Sequence, residues 1–215
     1  MYRLIGDGIE LNLNFYMAII KQKEQRVAMF IDAQNLYHSA RNLYGAKVNF
    51  GAVLKEAVAG RHLVRAIAYV ITTEGEEEKS FFEALNSLGI ETKTKDLQIF
   101  FGGAKKADWD VGLAVDAIRL GAKVDAVVLA SGDGDFVPLV EYLKFMGTQV
   151  EVITFGRSAS GRLREAADDF IDMCDDQRKY LLGSRGGNAA GGTPRRQPRK
   201  QAPGRRKENP PKEVQ

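Results

Sequence analysis

Two short apolar runs in this chain each end in carboxylates, and that pairing narrows the fold more than any other feature. Val27-Ala28-Met29-Phe30-Ile31 runs into Asp32, with Asn35 three residues further on. The stretch from Val124 to Ala130 runs into Ser131-Gly132-Asp133-Gly134-Asp135. Apolar runs of this length, bounded by turn residues, are spaced for strands buried on both faces, the kind found in parallel sheets. In such sheets ligands bind outside the carboxyl ends of the strands, so the acids that follow would gather at one edge. Two carboxylates about 4 Å apart repel by roughly 4 kcal/mol at an effective dielectric near 20. A cluster of them persists only by sharing protons or by binding a hard cation.

From Val27 onward, strand and helix patterns alternate. The spacing predicts a strand over 27–31, helices over 33–43 and 50–59, and a second strand over 63–70. Phe81, Phe82, Leu85 and Leu88 lie on one helical face of 76–88, with Gly89 as its C-cap. Short strands are expected over 90–93 and 97–101, a helix over 110–120, a strand over 124–130 and a helix over 136–145. A strand over 150–155 and a long helical region over 162–182 complete the series. Strands alternating with helices of about ten residues imply βαβ units and a sheet covered on both faces. The expected fold class is therefore α/β: a three-layer α/β/α sandwich with a mainly parallel central sheet over 26–182.

The flanks differ from this core. Residues 1–25 fit none of the alternating pattern and read as a loosely ordered extension, with Met17 an alternative start. From Gly183 to Gln215 there are nine Lys/Arg against two Asp/Glu, or +7. The whole chain carries +3, so residues 1–182 carry −4. Five of the six prolines also lie beyond Gly183, with almost no large apolar side chains. Such a segment cannot bury enough surface to offset its ordering entropy, so a disordered basic tail is expected. Its Arg and Lys suit salt-sensitive contacts to phosphates, or equally a solubilising role.

One cysteine, Cys174, excludes an internal disulfide framework and a cysteine-based zinc cluster. It fits a reducing, cytoplasmic setting. No apolar stretch is long enough to span a bilayer, so no membrane association is expected. A homo-oligomer is compatible with the sequence, which names no interface.

The chemistry narrows by elimination. There is no P-loop run, no dinucleotide fingerprint after the first strand (the turn reads Asp32-Ala33-Gln34-Asn35), and no Gly-x-Ser-x-Gly elbow. His38 and His62 are the only histidines and have no obvious partner, which argues against a histidine-pair RNA cleavage mechanism. A haloacid-dehalogenase-like phosphatase would want a second acid two residues after Asp32, where Gln34 stands. A calcium loop starting at Asp133 would need glutamate where Lys144 stands. Each acid alone has a plain structural explanation: Asp32 and Asp135 as helix N-caps, Asp108 and Asp110 as first-turn acids. Asp116, about 240° round the helix from Asp110, cannot share a ligand cluster with it. Together, acids from three elements point to metal-assisted attack by water, with oxygen ligands suited to Mg²⁺ or Mn²⁺ rather than Zn²⁺. The loop Gly156-Arg157-Ser158-Ala159-Ser160-Gly161-Arg162 ends at the same sheet edge. It reads either as a phosphate-holding loop or as a linker with an ordinary serine cap.

Several blocks resemble the NYN domain family, LabA-like branch, of the PIN-like nuclease superfamily. They are Phe30-Ile31-Asp32-Ala33-Gln34-Asn35-Leu36, Lys106-Ala107-Asp108-Trp109-Asp110-Val111, and Leu129-Ala130-Ser131-Gly132-Asp133-Gly134-Asp135-Phe136, with Leu163, Ala167-Asp168 and Phe170 closing the match. The resemblance implies a metal-dependent ribonuclease acting on single-stranded RNA. Asp32, Asp110, Asp133 and Asp135 would be the catalytic, metal-holding acids. Asn35 would orient water or phosphate, and Ser131, Arg157, Ser158, Ser160 and Arg162 would contact substrate. Asp108 competes with Asp110 for the second acid position, and spacing to Asp116 favours Asp110. The rival reading keeps the fold and the RNA contact without turnover, as a regulatory RNA-binding protein.

Overall fold

A computed structural model describes residues 19, 21–72, 76–96, 98–99, 105–106 and 108–183. In chain order its elements are β1 (Arg26–Asp32), α1 (Ala33–Tyr44), β2 (Lys47–Val48), α2 (Phe50–Val58), β3 (His62–Thr72) and α3 (Glu76–Ser87). They continue with β4 (Ile90–Asp96), β5 (Gln98–Ile99), β6 (Lys105–Lys106), α4 (Asp110–Gly121), β7 (Ala126–Ala130) and, after a 3-10 turn at Gly134–Phe136, α5 (Val137–Phe145). The last are β8 (Gln149–Thr154), α6 (Gly161–Ala166), β9 (Asp169–Asp172), α7 (Gln177–Tyr180) and β10 (Leu181–Leu182).

Six strands form one sheet in the order β4-β3-β1-β7-β8-β9, every neighbouring pair parallel. Alternation along β1 shows why its apolar run carries no polar residue. Val27, Met29 and Ile31 enter the core beneath α1, α2 and α3, while Ala28 and Phe30 enter the core beneath α4, α5 and α6. β7 splits in the same way, with Val128 and Ala130 on one side and Val127 and Leu129 on the other. The α/β/α sandwich expected from the sequence is thus present, and its sheet is parallel throughout.

Most expected elements appear within a few residues of their expected bounds, and Gly89, at φ 75°, closes α3 in the left-handed region that glycine tolerates. The 162–182 region differs. In place of one long helix it holds α6, the edge strand β9, the single-turn α7 and β10, which pairs with β2. The Asp168 carboxylate accepts the Val150 N–H (2.8 Å), drawing the chain away from helix and onto the sheet edge. Phe170 and Ile171 then pack on opposite cores, the two-residue period of a strand.

The N-terminal residues 21–25 are tied to the body: Lys21 pairs with Glu151 and Asp169, and the Gln25 carbonyl accepts the His62 N–H (3.0 Å). The rest of that extension, apart from residue 19, and the basic tail beyond Gly183 lie outside the described residues. Among the described residues no helix is long and apolar enough to cross a membrane.

Candidate metal centre

β1 and β7 are neighbours at the centre of the sheet, yet the chain leaves them in opposite directions, toward β3 and β4 from one and toward β8 and β9 from the other. The crevice outside their carboxyl ends is the switch point of the topology, where open α/β sheets bind ligands. Asp32 ends β1 and caps α1, its Oδ1 accepting the Asn35 N–H at 3.0 Å. Its Oδ2 accepts the Ser131 hydroxyl at 3.1 Å, and Ser131 Oγ accepts the Asp133 N–H at 3.2 Å. Asp133 Oδ1 accepts the Asp135 N–H at 3.0 Å, capping the 3-10 turn. From α1, Asn35 Oδ1 accepts the Gly132 N–H at 2.9 Å. The loops after β1 and β7 are therefore stitched into one rigid ledge.

Onto this ledge the first residue of α4 brings Asp110. One carboxylate oxygen from each of Asp110, Asp133 and Asp135 lies within 4.8 Å of the others. On octahedral Mg²⁺ neighbouring ligand oxygens stand about 3 Å apart and opposite ones about 4.2 Å, so the three carboxylates would close in by side-chain rotation to meet one ion. The donors are all hard oxygens, with no histidine or cysteine in the group. Asp108 is exposed and has no oxygen in the group, which favours Asp110 of the two candidates.

The electrostatics fit a cation site. Burial, helped by the charges of Asp32, Asp133, Asp108 and Asp135, pushes the Asp110 carboxyl up to about 6. Burial also raises Asp32, opposed by its hydrogen bonds from Asn35 and Ser131 and aided by the Asp133 charge. Asp32 stands outside the group of three, close enough for its charge to act on Asp110.

A sign follows for stability. A carboxyl raised in the fold favours folding below its unfolded pKa, and that contribution is lost as pH rises through about 6. At pH 8 the ionised Asp110 then costs the ion-free fold about 1 kcal/mol, allowing for its exposure to solvent. Asp110→Asn is expected to stabilise the ion-free protein by that amount at pH 8 and by nothing at pH 4. Denaturant melts at the two pH values in EDTA check this.

The other residues expected in the site fall into two groups. Ser131 is fully buried and spends its hydroxyl on Asp32 and Asp133, so it positions carboxylates. Ser160 abuts Gly134, and its N–H donates to the Gly132 carbonyl at 2.9 Å. Ser158 instead bonds Ser39 Oγ (2.9 Å) and the Phe155 carbonyl (3.1 Å), beside α1. Arg157 is exposed, with its charge acting on the Tyr44 hydroxyl of the α1 core, and Arg162 is exposed on α6. Asp116 lies away from the acids, bound through Oδ2 to the Tyr69 hydroxyl (2.7 Å) and Lys93 (2.5 Å).

Trp109, standing between the two competing acids Asp108 and Asp110, fixes the entry to α4. Its Nε1–H donates to the Val70 carbonyl at 3.0 Å, and its ring meets Tyr69 edge-on, centroids 5.4 Å apart. A Cβ at Gly112 would stand 2.6 Å from Trp109 Cε3. Gly112→Ala should therefore displace the indole and, with it, Asp110. Overpacking of about 1–3 kcal/mol outweighs a helix-propensity gain of about 1 kcal/mol. Weaker Mn²⁺ binding by calorimetry is the expected readout.

The NYN domain model matches residues 26–174. The chain is 28% identical over 170 residues to the low amplitude and bright protein LabA of Synechococcus elongatus, covering 74% of this chain and 89% of LabA. It also matches the crystal structure of VPA0982, a protein of unknown function from Vibrio parahaemolyticus, at 32% identity and a TM-score of 0.69, covering 76% of this chain and all of that one. The family match includes every acid of the ledge, from Asp32 to Asp135, together with all six strands of the central sheet, and places this chain in the NYN domain family.

Proposed function

We propose that this NYN-domain protein is a Mg²⁺- or Mn²⁺-dependent ribonuclease that hydrolyses phosphodiester bonds in single-stranded RNA. The observation that carries this reading is the convergence of Asp110, Asp133 and Asp135 oxygens at the switch point of the sheet. NYN domains are typically nucleases, which fits the same site. Asp110, Asp133 and Asp135 hold the ion, and Asp32, whose oxygens keep lone pairs beyond those given to Asn35 and Ser131, joins them from the end of β1. When bound, the ion lowers the pKa of its water and offsets charge developing on the phosphate. Asn35 spends its Oδ1 on Gly132 and turns its amide N–H groups to the phosphate or to the attacking water. Ser131 keeps Asp32 and Asp133 in register. The basic residues beyond Gly183 add salt-sensitive phosphate contacts and raise the local RNA concentration.

The test is incubation of purified protein with single-stranded RNA, with and without Mn²⁺. Manganese-dependent cleavage supports the reading. RNA bound in a gel shift but recovered intact in Mn²⁺ would favour the rival, a regulatory RNA-binding protein without turnover.

A further inference from the structure

Beside the carboxylates stands an aromatic ring whose surroundings the metal centre does not explain. Trp109 is the residue immediately before Asp110 and the only tryptophan of the chain. Three contacts fix the indole: its N–H to Val70, a T-shaped packing with Tyr69, and the close approach of Gly112 to the six-membered ring. Over the ring, 5.8 Å from its centroid, stands the Lys95 ammonium. Lys95 is exposed on β4, at the edge of the sheet, and its Nζ donates to the Asp108 carbonyl at 3.1 Å. A half-buried tryptophan, packed on one side against the core beneath α4, stands next to the acids with the exposed Lys95 ammonium over its ring.

That arrangement has the parts of a single-strand nucleotide subsite. Unstacked bases of single-stranded RNA bind by stacking on aromatic rings, while lysines take the adjoining phosphates. A ring already immobilised loses little side-chain freedom on stacking, and Lys95 can leave its carbonyl for a phosphate without breaking any buried contact. We propose that Trp109 is a base-stacking platform, with Lys95 as its phosphate contact, for the nucleotide next to the metal centre. The inference rests on the ribonuclease reading above and deepens it, because it says how a base is held near the ion.

The single tryptophan makes the test direct. Full-length protein in EDTA, where no metal-dependent cleavage occurs, is titrated with oligoadenylate and with an abasic oligonucleotide of the same length. Binding is followed by anisotropy of a labelled strand and by intrinsic tryptophan fluorescence. Oligoadenylate is expected to quench the tryptophan and to bind more tightly than the abasic strand. Trp109→Leu should weaken oligoadenylate roughly 5- to 150-fold and the abasic strand far less, with Trp109→Phe, which keeps a stacking ring, falling between. Lys95→Ala, which disturbs no core contact, should weaken both strands while the quenching persists at saturation. Oligoadenylate that binds with no quenching and no advantage over the abasic strand overturns the stacking platform and leaves the ribonuclease reading standing. Failure of both strands to bind overturns the stacking platform, and the Mn²⁺-dependent cleavage test above decides the ribonuclease reading separately.

Discussion

Replacing Glu151 with alanine is expected to destabilise the fold by about 3–5 kcal/mol. Glu151 lies near the start of β8, and the side chains of Glu151 and of Arg61, just before β3, are both 0% exposed. Arg61 Nη1 and Nη2 donate to Glu151 Oε1 and Oε2 at 2.5 and 3.0 Å, and Gln149 adds a third bond to Oε1 at 2.7 Å. Arg61 further donates to the carbonyls of Ala57 (2.6 Å) and Val58 (3.1 Å). Every polar atom of the pair is thus matched. Truncating Glu151 strands the buried Arg61 guanidinium and removes one of the two carboxylates of Lys21. Replacing both Arg61 and Glu151 by apolar groups instead removes the desolvation cost along with the attraction and leaves Lys21 its pairing with Asp169. Arg61→Met/Glu151→Leu should therefore recover most of the loss. For a domain of this size the single variant corresponds to a fall in melting temperature of roughly 6–20 °C. The pair sits at the amino-terminal edge of the sheet, opposite the acids, so Mn²⁺ affinity of the folded variant should be unchanged. Denaturant melts of the three proteins, with a common slope, measure this.

The second large effect is on chemistry. Asp133→Asn is expected to reduce Mn²⁺-dependent RNA cleavage by roughly 10²–10³-fold or more, the scale of losing one group that offsets transition-state charge. The substitution separates two roles of one side chain. Asp133 caps the 3-10 turn by accepting the Asp135 N–H, and an asparagine oxygen accepts the same bond. What is lost is the charge. The ion-free variant should keep its melting temperature or gain a little, because one carboxylate is gone from a crowded group. Cleavage at the wild-type rate would remove Asp133 from the proposed mechanism. Loss of folding would show instead that the side chain is needed for more than its charge.

The architecture was legible because burial on both faces leaves a plain mark. β1 and β7 must present apolar groups to two cores at once, so their sequences carry continuous apolar runs and the acids just beyond mark the strand ends. The 162–182 region reads as helix because Leu163, Ala167 and Phe170 fall at helical spacing, while the cue that breaks the helix is tertiary. Asp168 bonds a backbone N–H of β8, a partner invisible in a local window. In the candidate site the order of the acids was visible, and the division of labour was not. Asn35 and Ser131 bond across the ledge to residues about a hundred positions away in sequence, so no spacing rule reveals them as supports. Trp109 was hidden by its neighbours, since an aromatic between two acids at a helix start reads as packing. That Gly112 leaves room for the ring is visible only in the structure. The Arg61–Glu151 pair had no sequence signal at all, because its members are ninety residues apart and each looks like a surface charge.

The most direct measurement is anomalous scattering from crystals of the full chain grown with Mn²⁺. The expected result is a peak bonded at about 2.1 Å to oxygens of Asp110, Asp133 and Asp135. The contrary result is Mn²⁺ bound elsewhere, with these three carboxylates turned apart at saturating metal.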